Sequence, residues 1–157
     1  MDFTPLIMAC VMNASQLYGV PPAGIYAVLA AEGGRTDAVS PNDNGSYDIG
    51  PMQVNSLWLA PLAQGWGVDQ ATAEAALRSK PCTNIAVGTW ILADCIQRRG
   101  DFWQGVGCYH APNNAERAGR YISRVAGKAT ALFGPGVFRG TAPTDTSGSN
   151  TAGADRP

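Results

Sequence analysis

An apolar segment with helical spacing ends at residue 32 in a carboxylic acid, and two glycines follow at once. The run is Ile25-Tyr-Ala-Val-Leu-Ala-Ala-Glu32, then Gly33-Gly34. Ile25, Val28, Leu29 and Glu32 stand at i, i+3, i+4 and i+7, so a helix carries all four on one face. A carboxylate among apolar neighbours is disfavoured in its charged form, which raises its pKa. A raised pKa is what a general acid working near neutral pH needs. The alternative is a helix-terminal Glu that the glycines turn outward into solvent.

The next stretch bears on that choice. Residues 42–55 are dense in groups that can hydrogen-bond a sugar: Asn42, Asn44, Ser46, Tyr47, Asp48, Gln53 and Asn55. Interleaved glycines and Pro51 mark a loop. Amides and an aromatic after a semi-buried acid point to a saccharide cleft; without Glu32 the same run would read as an ordinary polar loop.

Elsewhere the pattern is helical. Thr4-Pro5 reads as an N-cap with Pro in the first turn, opening an amphipathic helix through Tyr18. Pro21-Pro22 separates it from the second helix. A short helix is expected over 52–60, and another from a cap at Asp69 to about Arg78. A long central helix is expected over about 83–98, then one from Phe102 to about Tyr109. Asn113-Asn-Ala-Glu116 fits a capping arrangement for a last helix to about Leu132. The only strand expected is a small hairpin within 35–50. Trp58, Trp66, Trp90 and Trp103 are placed mostly in the core, with Trp58 or Trp66 able to border a groove. From Gly134 the chain turns to Gly, Pro, Ser, Thr and Asp, so 134–157 is expected to be a disordered tail.

The four cysteines, Cys10, Cys82, Cys95 and Cys108, form an even set. Cys82 and Cys95 are close in sequence but lie at opposite ends of the expected long helix, roughly 20 Å apart. A disulfide needs Cα atoms within about 7 Å. Cys95 and Cys108 flank the turn Arg98-Arg-Gly-Asp101 and could face each other across a helical hairpin, which leaves Cys10 with Cys82. Four reduced, buried thiols remain the alternative. His110 is the only histidine and there is no CxxC, so no metal and no cofactor is expected.

Composition fits one domain: 157 residues, 45% hydrophobic and 15% charged, with a formal net charge of −1. There is no global basic field for nucleic acid. Charge is nonetheless uneven, with only Arg35 basic before residue 78. This is read chiefly as locally balanced helix surfaces, or else as a basic face for an anionic polymer. No apolar run is long enough to span a bilayer, and no secretory signal is visible in residues 1–18.

Glu32, then Asn44-Gly-Ser-Tyr-Asp-Ile-Gly-Pro-Met-Gln-Val-Asn55, then Trp103 and Gly107-Cys-Tyr-His110 together resemble the soluble lytic transglycosylase family. The likeness is strongest to its small members associated with conjugation, type III and type IV secretion and pilus assembly. It runs from about Leu6 to Phe133, and the motifs occur in the family's order. Gly33 stands where the family usually has Ser, Pro51 where it has Leu, and Cys108 and His110 where it has Ala and Asn.

The resemblance implies a mainly α, lysozyme-like (goose-type) domain over 1–133. It implies an enzyme in which Glu32 protonates the bond between N-acetylmuramic acid and N-acetylglucosamine and then accepts the proton of the muramoyl 6-hydroxyl, closing a 1,6-anhydro ring. It further implies substrate contacts from Ser46, Tyr47, Met52, Gln53, Asn55, Tyr109, His110 and Tyr121. For Asn55 and Tyr121 a packing or structural role is the alternative, for Tyr47 covering the loop; Met52 is placed first in the core, and a lone His such as His110 is more often a satisfied surface or core group. An early Cys and a Pro-Cys look paired in the secretion-associated relatives, which agrees with Cys10–Cys82. The implied partners are peptidoglycan strands and a secretion, conjugation or pilus apparatus, and the implied location is the periplasm or cell envelope. Asp48 is read first as structural, accepting backbone N–H bonds at the loop or capping a helix that begins near Gly50. If it faces the cleft instead, it is a candidate second carboxylate for lysozyme-type hydrolysis, which needs two acids about 5–9.5 Å apart. A glycan-binding assembly module that lost turnover is the non-enzymatic alternative, kept open by Gly33 and His110.

Overall fold

A computed structural model of the chain describes residues 3–138. It is mainly α, with seven α-helices and a small antiparallel sheet among the described residues. Helix α1 spans Pro5–Tyr18 and α2 spans Pro22–Glu32. Strands β1 (Val39–Pro41), β2 (Tyr47–Ile49) and β3 (Val54–Asn55) follow, in the order β1-β2-β3. A 3-10 turn, Ser56–Trp58, leads into α3 (Leu59–Trp66). The rest is α4 (Gln70–Ser79), α5 (Pro81–Arg99), α6 (Phe102–His110) and α7 (Ala115–Phe133).

Side-chain caps set most of the helix starts. Thr4 accepts from the Ile7 amide, Asp69 from Thr72 and Asp101 from Gln104. The last helix is capped by Asn114, which accepts from the Arg117 amide, one residue later than the capping box placed it.

Helix α5 is the centre of the domain. It packs against α1, α4, α6 and β3, and its buried residues run from Asn84 to Cys95. The disulfides reinforce this hub: Cys10–Cys82 ties α1 to the start of α5, and Cys95–Cys108 ties its end to α6, with Cα–Cα distances of 4.7 and 5.7 Å. Helices α2 and α7 pack against each other.

The turn at residues 50–53 is held down on this hub. Asn84 is fully buried. Its Oδ1 accepts from the Met52 amide at 2.8 Å, and its Nδ2 donates to the carbonyls of Ile49 (2.8 Å) and Leu77 (3.1 Å). Met52 then lies over Gly88, where any β-carbon would stand 2.6 Å from the Met52 sulfur.

Several expectations are corrected. The helix expected over 52–60 is absent there: Val54 and Asn55 pair with β2 as a third strand, and the α-helix runs Leu59–Trp66. Trp66 and Trp90 are not core; they are 42% and 40% exposed, whereas Trp103 is buried. Within the segment read as a tail, Phe138 packs on Phe102 and Trp103 with ring centroids 5.0 and 5.5 Å away. The rest of the expected tail, 139–157, lies outside the described residues.

Removing the Asn84 side chain would strand one buried donor and two buried acceptors, each costing about 1–3 kcal/mol. We expect Asn84→Ala to lower unfolding free energy by at least about 3 kcal/mol, read as a fall in the urea midpoint at unchanged m-value.

Candidate active site

A cavity of about 470 Å³ opens between the β-hairpin and helices α5 and α6, and Glu32, the last residue of α2, lines it. The helix stops there because Gly33 takes a left-handed conformation (φ 62°) and returns its amide to the Leu29 carbonyl. Gly34 must also be small: a β-carbon there would run into the carbonyls of Gly50 and Pro51 and the Gln53 amide. The two glycines thus end the helix at the acid and let the cleft loop close over it. Gly33, which replaces the family's Ser, has a role in this chain's backbone.

Glu32 Oε1 accepts a 2.6 Å hydrogen bond from Tyr121 Oη, across 89 residues of sequence. Burial raises the Glu32 pKa to about 7; the Tyr121 hydrogen bond and the Arg124 charge oppose that rise, and the Asp48 charge adds to it. Tyr121 is 2% exposed, and burial pushes its phenol far up, so it keeps the proton that it donates to Glu32. With Oε1 held as an acceptor, the acidic proton of Glu32 belongs on Oε2.

His110 stacks on Tyr121, with centroids 4.3 Å apart and planes 11° apart. Its pKa is lowered, first by burial and then by Arg124 and Arg117, which favours the neutral ring. It stands at the cleft and buttresses the phenol that holds the acid.

The polar loop supplies the facing wall. Gln53 lines the cleft with a left-handed backbone (φ 53°) rare for a non-glycine residue, a conformation that costs about 1–3 kcal/mol. Its side chain donates to the Gly50 carbonyl at 3.0 Å. Asn55 donates to Asp48 Oδ1 (2.9 Å) and Ser46 Oγ (3.1 Å), and accepts from the Leu57 amide. Its amide therefore organises the loop as well as lining the cleft. Ser46 lines the cleft too, with its hydroxyl donating to Asn44. Tyr109 lines it and donates to the Met52 carbonyl at 2.6 Å.

Two sequence expectations change here, those for Asp48 and Tyr47. Asp48 caps no helix: it lies in β2, opposite Asn55, and lines the cleft. Tyr47 is its strand neighbour and so points to the other face. There its hydroxyl meets Glu74, whose carboxylate raises its pKa, and it does not line the cleft. Met52 takes the core placement, fully buried, and its carbonyl accepts from Tyr109. Trp58 does border the cleft, edge-on to Trp90 at 5.4 Å. Asn84, which positions the loop, was missed, because a lone Asn near a helix start reads as a cap. Arg117 at the rim was also missed; its i, i+4, i+7 spacing with Tyr121 and Arg124 was the available signal. Among the described residues no acidic, His or Cys cluster could hold a metal.

A mainly helical body with one half-dry acid at the end of a helix, facing an amide-lined cleft, has the arrangement of the lysozyme-like proteins. The chain belongs to the transglycosylase SLT domain family, whose model matches residues 9–132. It is 28% identical over 120 residues to Invasion protein IagB of Salmonella typhimurium, covering 74% of this chain and 72% of that one. It is 28% identical to Protein IpgF of Shigella flexneri over 109 residues, covering 69% and 68%. It is 31% identical to a peptidoglycan-binding-like protein of Escherichia coli O157:H7 over 109 residues, covering 66% and 64%.

The raised pKa has a stability cost with a definite sign. A carboxyl raised from 4.5 to about 7 on folding does not destabilise the fold below pH 4.5, where both states are protonated. The cost grows as pH rises to 7 and is then constant, at about 3 kcal/mol. Gln at this position keeps the acceptor and has no charge to desolvate. We expect Glu32→Gln to stabilise the protein at pH 8 and to have no effect at pH 4, as read from paired thermal melts.

Proposed function

We propose that this protein is a peptidoglycan lytic transglycosylase with Glu32 as its one acid/base. The observation that carries this reading is a carboxyl with pKa about 7 whose one oxygen is fixed by Tyr121 and whose other is free to exchange a proton. Near neutral pH both protonation states are populated, and the reaction needs each in turn. Glu32 gives its proton to the glycosidic oxygen between the N-acetylmuramoyl and N-acetylglucosaminyl residues, and the bond to the anomeric carbon breaks. The muramoyl 6-hydroxyl attacks that carbon and passes its proton to the Glu32 carboxylate. A 1,6-anhydro ring closes, no water is consumed, and the acid is regenerated. The amides of Gln53 and Asn55, with Ser46, Tyr109 and His110, contact the sugars, and Tyr121 orients the acid.

Local opening of the wall for an envelope-spanning secretion, conjugation or pilus machine is the biological role we assign. The likeness to a protein named for invasion and to one named as peptidoglycan-binding-like supports it. Two disulfides favour the periplasm or cell envelope as the site of action.

Lysozyme-type hydrolysis is the second reading, favoured by one observation: Asp48 lines the same cleft as Glu32. Its Oδ1 is occupied by Asn55, which favours a structural role. Digestion of purified sacculi followed by mass spectrometry separates the readings. We expect anhydro-muropeptides, lighter than hydrolysed ones by one water, to fall about 10³-fold with Glu32→Gln and to persist with Asp48→Asn. Reducing-end products that need both acids would mean a hydrolase. Binding to sacculi without products would mean an assembly module.

A further inference from the structure

Beside the cleft lies a second cavity of about 330 Å³, lined by His110, Arg117, Arg120, Tyr121 and Arg124. His110 and Arg117 line both cavities, so the two are contiguous. The arginines stand at i, i+3 and i+7 on α7, which places them along one face, around the buried Tyr121. Arg120 is paired with Glu116 at 2.6 Å. Arg117 and Arg124 make no ion pair among the described residues. Arg124 is held over the Tyr121 ring, 5.3 Å from its centroid, which fixes the direction of its guanidinium. No carboxylate lines this cavity. The uncompensated charge is felt nearby: Arg124 lowers the pKa of both Glu32 and His110, and Arg117 adds to the effect on His110.

From this arrangement we infer that Arg117 and Arg124 form an anion subsite that takes carboxylates of the peptide stems borne by the muramoyl residues of the strand in the cleft. The inference rests on the peptidoglycan reading above. Stems hang from the sugar that reacts, so they leave the cleft beside the scissile bond and carry their free carboxylates to its margin. Two guanidinium groups beside an open cavity match planar carboxylates in charge and geometry. The subsite makes the protein selective for stem-bearing strands over bare glycan, without adding a group to the chemistry.

The test is a binding measurement on Glu32→Gln protein, whose turnover is expected to be about 10³-fold slower and which has no acid charge coupled to Arg124. Its Kd is measured for native sacculi and for sacculi whose carboxyls have been converted to amides, at physiological salt. The same pair is measured after adding Arg117→Gln with Arg124→Gln and, separately, Arg78→Gln with Lys80→Gln, which lie outside both cavities. We expect amidation to weaken binding about tenfold or more. The Arg117 and Arg124 changes should weaken binding to native sacculi equally, after which amidation matters no further. Full discrimination by the Arg117/Arg124 variant, or an equal loss from the Arg78/Lys80 variant, would overturn the subsite and leave only general charge attraction. No effect of amidation on any form would overturn it as well. Carboxyl-dependent binding with no anhydro products from the wild type would instead sink the transglycosylase reading and keep the subsite.

Discussion

The hydrogen bond from Tyr121 to Glu32 is the contact on which the site depends. Burial alone would leave the acid mostly protonated and free to rotate. The phenol offsets part of that desolvation and fixes one carboxylate oxygen. It also joins the end of α2 to the middle of α7, two helices packed on each other from opposite halves of the chain. Because the buried tyrosine keeps its proton and gives its hydrogen bond to Oε1, a proton on the Glu32 carboxyl sits on Oε2. His110 closes the arrangement from outside by stacking on the same ring. A residue that departs from the family's usual Asn has become part of the mount for the acid.

The other side of the cleft depends on α5. Asn84 replaces the missing backbone partners of the 49–52 turn with its own amide, and Gly88 leaves room for Met52 beneath it. That anchorage lets Gln53 hold a backbone conformation that a loose loop would relax. Tyr109 completes the mount by bonding the Met52 carbonyl from α6. The two walls are thus set by different pairs of helices, α2 with α7 and α5 with α6, and the disulfide at Cys95–Cys108 locks the second pair.

Much of this was legible in the sequence, for reasons of period and length. Glu32 is readable because Ile25, Val28 and Leu29 set a helical phase that carries it onto the buried face. The cysteine pairing is readable because the rise of a helix keeps Cys82 and Cys95 apart and the turn at 98–101 folds Cys108 back toward Cys95. The loop was not readable at the same level. Strands of two or three residues are too short to show their alternation, so the opposite facing of Tyr47 and Asp48 is hidden among polar neighbours. Residues 52–60 have apolar spacing that suits a helix, yet the turn is imposed by Asn84, more than thirty residues away. Trp66 and Trp90 have the spacing of core residues but lie at the margin of the packed body. Phe138 was masked by the composition around it, although one aromatic ring suffices to bring the chain back onto Phe102 and Trp103.

On the proposed mechanism the fold tunes one carboxyl to work as acid and then as base. The decisive measurement follows the Glu32 side-chain carboxyl through a pH titration by carbon-13 NMR, with Glu32→Gln identifying its resonance. We expect a midpoint near 7. A midpoint at the ordinary glutamate value, about 4.3, would mean a solvated, permanently charged group, and the proposed role of Glu32 as proton donor would be wrong.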